Sequence, residues 1–458
     1  MAEGRRADMV LIAFMQAQNC TNYPGSWRHP QGIPDFLSAE HYVRIARTLE
    51  EGKFHLAFFD DRLAMPDIFG NDHRLAVQWG IRSVKMDPVP LMTAMGLATT
   101  RLGIGGTCTT TYFEPFDVAR TFMTLDHMIG GRAAWNVVTS MNDSEARNMG
   151  VAEHPDHDLR YDRADEFVEI VLGHWQSWED DALVVDTRPG GVFAQPDKVH
   201  RLDYRGRWYN SRGPFTVPRS KQGHPVIIQA GQSGRGIRFA ARWGELVFAS
   251  YKTLPQARAL YRTLKDAVAA AGRNPDLVRI APPVYPIVGE TRAIAEEKRA
   301  FADSLARPED ALALLGEVLN IDFAQYGLDD PIGEAVLANM TGQHAIRDRV
   351  VQVSGKSNPT PRDFIDVSRR GTIHEAPVFC GTPADVADQM EEWYQGEACD
   401  GFVVAATHRP GGYEEFARLV VPELQRRGVF QKEYRGRTLR ENLGLPPCVA
   451  RGRPTMRH

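Results

Sequence analysis

Short apolar runs recur along the chain, and most stop at a polar residue just before a helix-period pattern begins. Met9–Met15 reads as a first buried strand, followed by a loop rich in Asn, Gly and Pro. Ser38 caps a helix that runs to Gly52, with Tyr42, Ile45, Ala46 and Leu49 on one face. Phe54–Phe59 is a second strand that ends in Asp60-Asp61. Pro88–Thr100 is helical, Leu102–Thr107 is a third strand, and Asp117–Ile129 is a helix. The stretch GGRAAWNVVTSMNDSEARNMG, from Gly130 to Gly150, supplies a fourth strand. Its small and β-branched residues suit a strand covered on both faces. Asn142 or Asp143 caps the short helix behind it, and Gly150 closes that helix. Tyr161–Trp175 is the clearest amphipathic helix, with Ala164, Phe167, Val168, Val171, Leu172 and Trp175 at helical spacing.

The alternation continues with a strand at Pro225–Ala230, the loop GQSGRG and a helix through Arg242. Leu246–Ser250 is a strand, Leu254–Ala271 a helix, Val278–Gly289 a strand despite its prolines, and Thr291–Leu315 a helix. Thr382–Gln395 has a Thr-Pro helix start. Gly401–Ala406 is a last strand, and Tyr413–Arg427 a last helix. About eight such repeats predict a (β/α)8 TIM barrel in one domain. An open doubly wound sheet is the alternative, but no GxGxxG follows the first strand. Insertions are expected at about 61–86, 178–222 and 320–375; the second reads as a β-hairpin excursion, the third as polar and poorly periodic. The basic tail, about 431–458, lacks periodicity.

Composition narrows the function. Of 458 residues, 43% are hydrophobic and 24% charged, and the net charge is −4, so neither a nucleic acid nor a membrane surface is an expected partner. The N-terminal apolar run is too short for a secretory signal, and no stretch approaches the roughly 20 apolar residues of a membrane span. Five scattered cysteines without a CxxC read as reduced thiols in a cytoplasmic protein.

In a parallel barrel all strands end on one face, so Asp60, Thr107, Thr109, Asn136, Thr139 and the GQSGRG loop converge. Gly231, Gln232, Ser233, Gly234 and Arg235 precede a helix, where backbone N–H groups, a hydroxyl and the helix dipole suit a phosphate. Arg160 and Tyr161 open another helix and offer donors to the same anion. HPDHD at His154–Asp158 has metal-ligand residue types, but it contains Pro155 and finds no further His at a strand end, so no metal site is assigned. His127 and His174 lie on helices as packing residues. No GxSxG elbow and no Cys–His nucleophile pair is evident. A polar pocket with an anion site and no nucleophile suits a protein whose cofactor carries the chemistry.

The Gly130–Gly150 stretch closely resembles the G-R-x-x-W-N-x-V-T-S…A-x-N-x-G signature of the luciferase-like flavin monooxygenases. The resemblance is to the branch of nitrilotriacetate monooxygenase component A, dibenzothiophene-sulfone monooxygenase and long-chain alkane monooxygenase. HLAFFDD at His55–Asp61, TCTTTYFEPFDVAR at Thr107–Arg120, HDLRYDRADEF at His157–Phe167 and QAGQSGRG at Gln229–Gly236 are similar to that family in the same order. Gly381-Thr-Pro and GFVVAA extend the likeness toward the C-terminus. Cys108-Thr109 stands where relatives often show Ala-Ser, and Ala134 where many have glycine.

The resemblance implies a barrel that takes FMN as FMNH2 from a separate NAD(P)H-dependent flavin reductase. It implies reaction with O2 through a C4a-peroxide and oxygenation of a small-molecule substrate. Homodimers and homotetramers are usual in the family. By position, Asp60 approaches the flavin ring, Thr107 lies beside the ring or the ribityl chain, and Asn136 contacts it from the fourth strand, with Thr109 and Thr139 as neighbours. His157, Tyr161 and Ser233, with Gln232 beside them, serve the phosphate end. The first and third insertions, Leu63–Met86 and Asn320–Thr372, would cover the site, where Phe69, Trp79, Phe323 and Tyr326 line a pocket or pack a lid. A deazaflavin (F420)-dependent dehydrogenase of the same superfamily and a non-catalytic flavin-binding subunit are the alternatives.

Overall fold

The computed structural model describes residues 8–448 apart from 33, 153, 155, 232 and 341–343. Eight parallel strands form the centre: β1 (Val10–Gln16), β2 (Leu56–Asp60), β3 (Gly103–Thr109), β4 (Ala133–Val138), β5 (Val226–Gln229), β6 (Leu246–Phe248), β7 (Arg279–Ala281, continued as Pro283–Val288) and β8 (Gly401–Val404). Each pairs with the next, and β8 pairs with β1 through Val10↔Gly401, Leu11↔Phe402 and Ile12↔Val403. The ring closes at β7. Its first half pairs with β6 (Phe248↔Ala281) and its second half with β8 (Pro283↔Val403). Pro282 separates the halves because it has no N–H to give the ladder, while its carbonyl still accepts from Val403 N at 2.8 Å. The stretch Val278–Gly289 is therefore one barrel strand in two pieces. A short strand not foreseen in the sequence, Val378–Gly381, pairs with the outer half of β7.

The barrel helices are α1 (Ala39–Glu51), α2 (Pro88–Leu97), α3 (Pro115–Met128), α4 (His157–Trp175), α5 (Gly234–Trp243), α6 (Leu254–Ala270), α7 (Pro383–Gln395) and α8, a helical run over residues 411–426. The capping groups expected at Ser38, Asn142 and Thr382 are in place. Helix α4 starts one turn earlier than its apolar period suggests, because the Asp156 carboxylate accepts from Asp158 N at 2.9 Å and caps it. In α8 the turn Phe416–Val420 widens to a π-helix just before Pro422, whose missing N–H cannot continue the α ladder.

The barrel interior alternates as a parallel strand requires. Val10, Ile12, Leu56, Phe58, Ala134, Val226, Ile228, Leu246, Phe248 and Val403 face inward and form one apolar cluster. The tail is part of it. Thr438 caps the turn Leu439–Asn442, and Leu439, Leu443 and Leu445 insert among these residues at the barrel's N-terminal end. Gly103 is needed there, since a Cβ would lie 2.5 Å from Leu439 Cδ1 and 2.8 Å from the His55 carbonyl. The tail read as aperiodic is thus a plug, too short for a period to show.

The insertions differ from the sequence reading in detail. The helix expected over Thr291–Leu315 is two, Arg292–Ser304 and Pro308–Leu319. Arg307, forced out of the α region by the following proline, is extended at φ −115°, ψ 145°. The polar stretch after it holds helices Glu334–Ala338, His344–Ser354 and Pro361–Ser368 around their own apolar centre of Leu315, Leu319, Phe323 and Phe364. Phe69 and Tyr326 pack against that centre, and Trp79 against a neighbouring one with Ala313 and Leu314. All four aromatics therefore pack the cover. The hairpin excursion is reduced to Tyr204–Arg205 paired with Asn210–Ser211 and a few isolated bridges.

Candidate active site

The Gly130–Gly150 stretch divides into residues that hold the barrel and residues that face its mouth. Arg132 is 4% exposed and donates to the carbonyls of Gly96, Thr99, Leu102 and Ile129, closing the C-terminal end of α2. Asp126 is fully buried on α3. It accepts from Ala133 N at 2.8 Å, Gln222 Nε2 at 2.8 Å and Ser220 Oγ at 2.5 Å, and so fixes where β4 begins. Trp135 points outward and donates to the Cys108 carbonyl. Asn136, one residue on, points inward.

In register, Asn136 lies beside Thr107. Asn136 Nδ2 donates to Thr107 Oγ1 at 2.8 Å, and Thr107 Oγ1 donates to the Phe59 carbonyl at 3.0 Å. Asn136 Oδ1 is buried with no partner. Gln16, at the inward-facing end of β1 and fully buried, has no partner for either amide atom. Unsatisfied buried amides are costly and uncommon, so this floor presents three polar atoms that the protein itself leaves without partners. Sequence reasoning missed Gln16. The signal was a lone polar residue in the inward phase at the end of an apolar strand.

Asp60 ends β2 at the same rim and pairs with Lys85 Nζ at 2.5 Å, a cation supplied by the first insertion. Burial pushes the neighbouring Asp61 carboxyl up to about 7, against the pull of Lys85. Thr109 and Thr139 occupy the strand exits. The Thr109 hydroxyl receives Ser140 N at 3.2 Å and Ser140 Oγ at 3.0 Å, so it ties the β3 exit to the β4 exit. Thr139 stands against the Tyr161 hydroxyl together with Gln229 and Ser233. A cleft of about 610 Å³ runs from Thr107 and Cys108 beneath the first insertion, lined there by Asp61, Arg62 and Lys85.

The predicted phosphate end assembles where α4 and α5 begin. Ser233 caps α5, its Oγ accepting from Gly236 N at 3.0 Å, and lies 3.4 Å from His157 Nε2 at the first residue of α4. Tyr161 is 7% exposed one turn into α4, and burial raises its phenol so that it stays a hydroxyl donor. Gly231 permits the closeness, because a Cβ there would meet Tyr161 Oη at 2.6 Å and Gln229 Nε2 at 2.8 Å. Two helix N-termini, a hydroxyl, a phenol and an imidazole thus share one spot, which suits a phosphate. Arg235 is directed away, paired with Asp162 at 2.9 Å and Asp165 at 2.5 Å. Gln232 lies outside the described residues.

The two histidines of the HPDHD run do not converge. His157 faces Asp158 and Ser233. His154 Nδ1 lies 2.7 Å from Tyr112 Oη, with its ring stacked on that phenol, and its Nε2 is buried without a partner. Burial lowers His154 to about 4, so it is neutral at pH 7. The Tyr112–His154 pair escaped sequence reasoning because the two residues are 42 positions apart. His174 is a packing residue as expected, bound to Ser211 Oγ at 2.7 Å between Phe116 and Phe215.

A closed parallel barrel with a polar mouth and two helix N-termini meeting at one cluster of donors defines an α/β barrel of the kind that carries its site at the strand ends. The comparisons make it specific. The luciferase-like monooxygenase family model matches residues 15–401. The chain is 43% identical over 454 residues to dibenzothiophene-sulfone monooxygenase of Rhodococcus erythropolis, covering 98% of this chain and 100% of that protein. It is 37% identical to nitrilotriacetate monooxygenase component A of Aminobacter aminovorans, covering 92% and 93%. Among solved structures, a riboflavin lyase with modified FMN and riboflavin superposes with a TM-score of 0.87 at 30% identity, covering 96% and 97%. The chain belongs to the luciferase-like monooxygenase family, a family of flavin-dependent oxidoreductases.

Proposed function

We propose that the chain is the oxygenase of a two-component, FMNH2-dependent monooxygenase. It takes reduced FMN from a separate NAD(P)H-dependent flavin reductase and transfers one O2-derived oxygen atom to a small organic substrate. The observation that carries this reading is the buried, unsatisfied amide floor of Gln16 and Asn136. That floor fits the polar edge of a flavin ring, while the cradle at His157, Tyr161 and Ser233 fits its phosphate. Reduced flavin, when bound, supplies the electrons that activate O2.

The protein's part is binding, orientation and dryness. Asn136, Thr107 and Gln16 orient the ring, with Asp60–Lys85 at its rim. Tyr161, Ser233, His157 and Thr139 anchor the far end. The cover built from the first insertion and Pro308–Leu319 excludes water, a role supported by Glu317, which is fully buried and receives Asp67 N at 3.0 Å and Ile68 N at 3.1 Å. The substrate occupies the cleft that begins at Thr107. A separate reductase is supported by the "component A" in the name of one relative. The assembly belonging to this reading is a homodimer or homotetramer. No helix among the described residues is long and apolar enough to cross a membrane. The five free thiols support a cytoplasmic setting.

The test is an anaerobic titration with FMNH2 followed by rapid mixing with oxygenated buffer. The protein is expected to bind FMNH2 and to change the course of its reoxidation. Reoxidation as in buffer, with no binding, would refute the reading, and preference for a reduced deazaflavin would replace it with the dehydrogenase alternative.

A further inference from the structure

At the opposite end of the barrel from the flavin site, the tail brings a thiol to a buried histidine. Cys448 hydrogen-bonds the ring of His224, which is 7% exposed and stacked on Trp175 at 5.5 Å. The other ring nitrogen, His224 Nδ1, lies 2.8 Å from the Pro225 carbonyl and must donate to it, since a carbonyl only accepts. That fixes the tautomer: Nε2 is the acceptor, and it faces the thiol. A nucleophile, a base and a group that orients the base are thus aligned.

Two arginines hold the tail at this point through its carbonyls. Arg219 is 9% exposed, pairs with Asp180 at 2.6 Å and donates Nη2 to the Cys448 carbonyl; its Nη1 is buried without a partner. Arg440 is 4% exposed and paired with Glu245 through Nη1 at 2.7 Å and Nη2 at 3.0 Å; its Nε is likewise buried without a partner. The packing is tight, since a Cβ on Gly223 would meet both Cys448 Cβ at 2.6 Å and Arg219 Nη2 at 2.7 Å. Cys448 itself is only half-buried. Burial opposes the thiolate and Glu245 adds to that, while the His224 hydrogen bond, the His224 charge and Arg440 favour it, and the net shift is downward.

We propose that Cys448 is a peroxide-reactive cysteine, a site of oxidation to sulfenic acid by hydrogen peroxide. The thiolate sulfur attacks one peroxide oxygen, an S–O bond forms and the O–O bond breaks. Sulfur loses two electrons, peroxide is reduced, and the departing hydroxide takes the proton from the His224 imidazolium and leaves as water. The inference does not rest on the flavin reading.

The experiment uses the full-length protein. Iodoacetamide alkylation is followed at each of the five cysteines by mass spectrometry between pH 5 and 9, and a parallel sample is treated with hydrogen peroxide and trapped with dimedone. Cys448 should react at least about tenfold faster than Cys380 at pH 6.5, because Cys380 is comparably exposed but burial and Glu296 raise its thiol to about 11. Dimedone should mark Cys448 first. His224→Gln should move the Cys448 profile up toward that of an ordinary thiol. Equal reactivity of Cys448 and Cys380 in the wild-type protein would overturn the proposal without any variant. So would an alkaline profile for Cys448, or a profile that His224→Gln, verified as folded by circular dichroism, leaves unchanged.

Discussion

Gly231→Ala should weaken FMNH2 binding through a clash that a second substitution relieves. The alanine Cβ would lie 2.6 Å from Tyr161 Oη, 2.8 Å from Gln229 Nε2 and 3.0 Å from Gly236 Cα. Gly231 is not left-handed, so the penalty is steric and not conformational. Overpacking of this kind costs about 1–3 kcal/mol. Displacing Tyr161 also removes its hydroxyl from the phosphate, and a hydrogen bond to a charged group is worth about 1.5–3 kcal/mol. Tyr161→Phe alone should lose only that bond. If the two changes were independent, the double variant would lose about 2.5–6 kcal/mol for Gly231→Ala, clash plus bond, and about 1.5–3 kcal/mol more for Tyr161→Phe, about 4–9 kcal/mol together. In the structure they share one atom. Removing the hydroxyl opens the 2.6 Å contact and leaves Gln229, whose flexible end can turn, and Gly236. The double variant should therefore bind little worse than Gly231→Ala alone, with a coupling of about 1.5–3 kcal/mol, the one bond that can be lost only once. Anaerobic titration of FMNH2, read by flavin fluorescence, measures all four corners of the cycle. Strict additivity, or Tyr161→Phe with unchanged affinity, would refute the placement of the phosphate.

Asn136→Ala should lower FMNH2 affinity about tenfold yet change thermal stability without flavin by no more than about 1 kcal/mol, since it removes one hydrogen bond and one unsatisfied oxygen together; melting curves with and without FMNH2 check it. Leu439→Ala should cost about 2–5 kcal/mol of stability by opening a cavity beside Gly103, seen as a lower urea midpoint. The protein should lose stability as pH falls from about 6.5 toward 4. Burial lowers His154 to about 4 and His55 and His408 to about 3, below the unfolded value near 6.5, so in this window the unfolded chain binds protons that the folded chain does not. Urea midpoints at pH 7.5 and 5 test this, and equal midpoints would contradict it.

The parallel barrel was legible because its determinants are local. Each strand is a short apolar run, most helices carry a capping side chain, and Ser38, Asn142 and Thr382 act where the sequence places them. Asp60, Thr107 and Asn136 were legible for a related reason, since they are polar residues near the ends of buried parallel strands, which all finish at the barrel mouth. What escaped depends on tertiary contact. Gln16 looks like the end of a strand until its two unsatisfied atoms are seen. Tyr112 and His154 mean nothing apart. The plug could not be read, because Leu439, Leu443 and Leu445 have neither strand nor extended helical period and gain their meaning only from the open barrel end beneath them. Likewise the third insertion looks polar because its apolar residues face a core of their own, too small to impose a long period.

The division of labour within the Gly130–Gly150 stretch follows from the same geometry. A motif this dense suggests a string of functional residues, yet Arg132 closes a helix, Trp135 packs outward and Asn142 caps the next turn while donating to Glu317 Oε2 at 2.5 Å. Only the inward phase, Asn136, reaches the floor of the site. The structural members nevertheless determine its chemistry. Arg132 and Asp126 fix the register of β4 against β3, and that register sets Asn136 beside Thr107. A slip of one residue would turn Asn136 outward and bring Trp135 or Val137 to the mouth. Asn142 in turn joins the exit of β4 to Glu317 in the cover, the same carboxylate that receives the first insertion. The stretch therefore links barrel floor and lid through one strand and one helix cap. A substitution at Asn142, remote from any flavin atom it could touch, should act on how the site closes, whereas one at Asn136 should act on what it holds.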